Sequence, residues 1–141
     1  MTQAMCTSFK KELFTAAHNF SAVGGHAFKI AVYTSAATLD ASTTVYSSSN
    51  EVVSSGYTAG GFALTNVDPS SSGTTAMVTF SVNPFWTGVT FTASQALIYN
   101  SSAGNKAVAV LDFGGNQTVV AGDFVLTLPA VTSTTALLRL V

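Results

Sequence analysis

The chain has 141 residues, a formal net charge of -1 and only 8% charged side chains, against 48% hydrophobic ones. Free-standing soluble domains carry about a quarter charged residues, so this surface gains little from charge repulsion and reads as one that identical copies or a larger assembly cover. Five basic residues, scattered and offset by six acids, argue against nucleic acid as a partner. The single Cys6 allows no internal disulfide. The longest apolar run, Ala107–Leu111, falls far short of the ~20 residues of a spanning helix, so no membrane partner is expected. The opening MTQAMCTSFKKELF lacks a basic region followed by an apolar run, which predicts no secretory signal and synthesis in the cytoplasm.

In chain order, Thr7 or Ser8 can cap a helix over Ser8–Asn19, with Phe9, Leu13 and Phe20 on one stripe. Residues 1–25 thus read as a helical segment and turn, ended by Gly24-Gly25. The period then changes to two, and Phe28–Thr34 reads as a strand with Phe28, Ile30 and Val32 on one face. Ser35–Ser55 is Ser/Thr-rich and weakly periodic, a long connection with room for a helical turn near Leu39–Tyr46. A connection that long in a small domain usually has a function. It is the expected contact with another subunit or a partner, removable over Ser42–Ser49 without loss of the fold. Gly56–Gly61 is turn-rich, Phe62–Val67 a short strand, and Asp68–Gly73 a loop.

The second half reads as strand after strand. Ala76–Val82 alternates until Asn83-Pro84 breaks it. Phe85–Ala93 and Ala96–Tyr99 follow, then a hairpin loop at Asn100–Asn105. Ala107–Phe113 is the most apolar segment and the expected central strand. Gly114–Gly122 reads as a turn region, Phe124–Leu128 and Leu137–Val141 as the last strands. Short strands separated by turn signals predict a single domain over 1–141, mainly β: an antiparallel sandwich or barrel, jelly-roll-like, with a short N-terminal helix.

Catalysis needs converging ionisable groups or an activated nucleophile. Cys6 with His18 or His26 is a formal nucleophile–base pair, but nothing in the spacing brings them together, and the histidines fit no common metal spacing. Asp112, inside the apolar AVAVLDF, reads as a buried carboxylate paired with Lys106 or Arg139. The glycine pairs match no phosphate-binding loop. No catalytic, cofactor-binding or metal-binding residue is therefore assigned, no cofactor is expected, and the chain is read as no enzyme.

Three segments carry a resemblance: FKKELFTAAHNF, AFKIAVYTSAATLDASTTVYSSSNEVVSSGYTAGGFALTNV, and ALIYNSSAGNKAVAVLDFGGNQTVVAGDFVLTLPA. In order and over nearly the whole chain, they resemble small virion structural proteins of tailed bacteriophages, most of all capsid decoration, or cement, proteins. The resemblance implies a virion protein on the capsid surface. Its partners are the major capsid protein and itself, as a homo-oligomer and most readily a trimer. The alternative is a tail or receptor-binding module holding carbohydrate on exposed aromatics such as Tyr46, Tyr57 or Trp86.

Overall fold

One long hairpin organises the molecule. In the computed structural model, which describes residues 2–141, β6 (Phe85–Asn100) and β7 (Lys106–Val125) pair antiparallel along their length. Where the two strands are most apolar, Gln95–Asn100 lies against Lys106–Asp112, and Ala96–Asn100 and Ala107–Leu111 are buried without interruption. Each strand of the hairpin also has a neighbour on its other edge. β1 (Thr2–Met5) pairs with β7, and β2 (Phe28–Tyr33) with β6. Beyond β2 lies β3 (Phe62–Ala63), giving the order β1-β7-β6-β2-β3. A second antiparallel sheet of β4 (Ser70–Ser72), β5 (Thr75–Val78) and β8 (Leu138–Leu140) runs in the order β4-β5-β8. The protein is mainly β and sandwich-like, with one short helix, α1 (Thr7–Leu13).

The N-terminal segment differs from its sequence reading. Its first residues form β1 rather than leading straight into a helix, since Thr2–Met5 completes the outer edge of β7. The helix starts from an extended Cys6 without a side-chain cap and stops at Leu13, not Asn19. It closes in a Schellman arrangement, in which Ala17 N–H donates to the Glu12 carbonyl and Ala16 N–H to that of Leu13. Ala16 takes the left-handed conformation, φ 58°. The early stop turns His18 and Phe20 into the core, where Phe20 stacks on Phe28 at 4.3 Å and meets Phe9 edge-on at 5.9 Å. The aromatic stripe is thus used as expected, by a helix and a turn together.

Two segments read as loops are strand. Ser70–Ser72 pairs with Thr75–Val78 around Gly73. Gly114–Gly122 is the continuation of β7. Its register passes from Gln95↔Asp112 to Ala93↔Gln117, so Phe113–Asn116 stand opposite Ser94 alone. The positive φ of Gly114 and Gly115 is absorbed in a bulge that bends the strand without reversing it. Beyond the bulge the large sheet narrows to a two-stranded ribbon, Phe85–Ala93 with Gln117–Val125. Other expected strands are shorter, Phe62–Ala63 for Phe62–Val67 and Thr75–Val78 for Ala76–Val82.

Gly61 has the most constrained backbone. It sits at φ +86°, where an added Cβ would overlap the Ile30 carbonyl oxygen of β2. Gly73, φ +58°, has open space around it. Gly61→Ala is expected to destabilise by about 3 kcal/mol or more, from backbone strain plus overpacking, and Gly73→Ala by about 1 kcal/mol. Urea unfolding of the two variants checks the difference.

Candidate functional site

Two buried polar nodes hold the loops to the large sheet. The first is built around Glu51, which is 7% exposed and faces all four tyrosines of the chain or their neighbours. Tyr46 Oη donates to Glu51 Oε1 at 2.6 Å, and Tyr57 Oη to Oε2 at 2.6 Å. Gly60 N–H also donates to Oε2, at 2.9 Å. The Tyr57 hydroxyl accepts from Val32 N–H, and Tyr99 Oη donates to the Gly60 carbonyl. Tyr33 Oη donates to the Ser47 carbonyl. Three donors satisfy the oxygens of this buried carboxyl group, as an interior polar group requires. The node pins Tyr46–Gly60 across β2.

Burial, with Glu51 behind it, pushes the Tyr99 hydroxyl up to about 12. Tyr33, Tyr46 and Tyr57 are raised further, in each case chiefly by burial and then by Glu51. Tyrosines raised in the folded state stay protonated while the unfolded chain ionises near pH 10. The stability they carry is therefore complete below about pH 10 and is lost as pH rises from there through the folded values. Tyrosinate absorbance is expected to appear together with loss of the β circular dichroism signal, in one alkaline transition. Ionisation near pH 10 with the fold intact would contradict this.

The second node is Asn100, fully buried at the end of β6. Its amide nitrogen donates to His18 Nδ1 at 3.0 Å and His26 Nδ1 at 2.9 Å, and its oxygen accepts from Ser102 N–H. His18 Nε2 donates to Glu12 Oε1 at 3.0 Å. The structure thus brings together two histidines that their spacing keeps apart. Both nitrogens of His18 are engaged, leaving it no lone pair for a nucleophile's proton. Cys6 is buried, and its thiol is pushed up to about 11 by that burial and then by Asp40 and Glu12, the reverse of an activated nucleophile. Among the described residues no three His, Cys, Asp or Glu side chains converge as a metal site.

Several sequence readings change. Asp112 is exposed and accepts from Gly114 N–H; it is not a buried acid paired with Lys106 or Arg139. Its side chain falls on the outer face, one residue past the buried run. The buried acid is Glu51, which the polar serines around it concealed; its signal was its position five and six residues from Tyr46 and Tyr57. Of the aromatics offered for sugar stacking, Tyr57 and Trp86 are buried and Tyr46 stacks on Tyr99 at 4.5 Å. Ser35–Ser55 has a hydrogen-bonded turn at Asp40–Thr43, inside the expected Leu39–Tyr46, but no helix, and it is no detachable loop. Val45 bridges Lys106, Ala107 N–H donates to Thr44, and Tyr46 and Ser47 hold the tyrosine node. Deleting Ser42–Ser49 would remove these contacts, so it would not spare the fold.

The surface carries the remaining feature of note. In the two-stranded ribbon, the outer edge of Gln117–Val125 has no strand beside it among the described residues, since β1 pairs only as far as Asp112. Val120 is 74% exposed there, Val125 and Phe85 about half exposed, and Asp123 is the ribbon's one charge. Comparisons with protein-family models, curated proteins and solved structures find no match.

Proposed function

We propose that this protein is a non-enzymatic structural component of a bacteriophage particle, a decoration protein that binds the outside of the major capsid shell and stabilises it. The observation that supports this best is the open ribbon. Natural sheets guard long edges with charges, proline, bulges or a covering element, and here only Asp123 and the bulges of the ribbon serve. The Gln117–Val125 edge has no lysine or proline, and its exposed valines are of the kind that subunit contacts bury. Binding of this kind works by area and shape. It requires no ionisable machinery, which agrees with polar nodes whose groups are spent on holding loops. Self-association, as a trimer by analogy with cement proteins, belongs to the same reading.

The test is composition of purified particles. Hundreds of copies per particle, released by mild chaotrope with loss of heat resistance and restored by adding the protein back, support the reading. A handful of copies would place it in a tail or spike, and absence from particles would sink the proposal.

A further inference from the structure

An apolar cleft of about 200 Å³ separates α1 from the second sheet. Phe9, Leu13 and Phe20 form one wall, and Val78, Leu138 and Leu140 line the other. An apolar cavity of roughly 150 Å³ accepts a benzene ring, so this cleft has room for one aromatic side chain. Immediately beside it, at the helix C-cap, Phe14 is 93% exposed. A hole and a knob of matching chemistry thus lie on one face of one chain, the condition for a self-complementary contact.

Charge lies around both: two lysines flank the knob, and one acid and one arginine border the cleft. Phe14 lies four residues after Lys10 and three after Lys11, so the three share the outer face of the helix while Phe9 and Leu13 turn inward. Neither lysine makes a salt bridge with an acid among the described residues. At the rim of the cleft, exposed Asp68 precedes Pro69, which lines it, and accepts from Ala22 N–H, while Arg139, also lining the cleft, donates to the Ser133 carbonyl.

We propose that Phe14 of one copy inserts into the cleft of a second, and the reverse, with Lys10 and Lys11 of each copy facing Asp68 of the other. The contact rests on the self-association in the reading above; being reciprocal, it makes a two-fold pair and not the trimer of the analogy.

Sedimentation of the full chain over a range of concentrations tests it. The wild type is expected to self-associate, and Phe14→Ser to weaken association about tenfold or more, as for a buried aromatic anchor. Because Phe14 is exposed, that variant should melt like the wild type. Lys10→Glu with Lys11→Glu, and separately Asp68→Lys, should each weaken association, and an equimolar mixture of these two variants should restore it, since every facing pair is again opposite in charge. A wild type that stays monomeric, a Phe14→Ser variant that associates normally, or a mixture no better than its components would each overturn the contact. Particle binding is scored apart from this, on stripped capsids. Failure of the contact with wild-type capsid binding intact leaves the functional reading standing, and failure of wild-type binding removes that reading whatever Phe14 does.

Discussion

Glu51→Ala is expected to lower the unfolding free energy by about 3–5 kcal/mol. The substitution removes the acceptor for Tyr46, Tyr57 and Gly60 together. Tyr46 is partly exposed and can turn to water, but Tyr57 and Gly60 are buried and keep unpaired donors. A lost hydrogen bond to a charged group costs about 1.5–3 kcal/mol, and the three are not additive because they share one carboxylate. Glu51→Gln keeps one acceptor oxygen but points an amide at a donor, so about half the loss is expected. Chemical denaturation of the two variants checks the order. Equal stability of wild type and Glu51→Ala would show that the node carries no net stabilisation.

Leu111→Ala should cost about 3 kcal/mol or more. Leu111 is fully buried at the centre of the large sheet, opposite Ala96 on β6 and Gln3 on β1. With a strand on each side, β7 has little room to collapse around the void, which places the loss in the upper part of the usual range for leucine truncation. Val120→Ala on the same strand, in the exposed ribbon, should change stability by no more than about 0.5 kcal/mol. Thermal melts of the pair measure both. A loss below about half a kcal/mol for Leu111→Ala would mean that the hairpin is not the centre of the core.

The β class was legible because it is written in local pattern. Phe28–Tyr33 alternates and then turns wholly apolar, and AVAVLDF is apolar without the length of a helix, so both were placed correctly as strands. Loop and strand were confused where glycine served both. The Gly114-Gly115 pair carries the same signal for a bulge as for a turn, and whether the chain reverses there depends on β6 continuing beside it. The helix was overextended for a similar reason. Ala16, Ala17 and Phe20 suit a helical stripe, and only the packing of Phe20 on Phe28 and of His18 on Asn100 favours ending it at Leu13.

Composition and periodicity by themselves settled that this chain is mainly β, that its core is centred on Ala107–Leu111, and that its surface is poor in charge, because each is a property of neighbouring residues. The tertiary structure decided where the polar groups go. Asp112, expected to be buried, is exposed while Glu51 is the buried acid, and His18 and His26, eight positions and a turn apart, meet on an asparagine more than seventy residues away. Burial of a carboxylate or imidazole is set by which polar partners the packed chain turns toward it: loop neighbours for Glu51, the end of β6 for the histidines. That depends on how the loops dock on the paired strands β2 and β6, which the hydrophobic pattern alone does not encode.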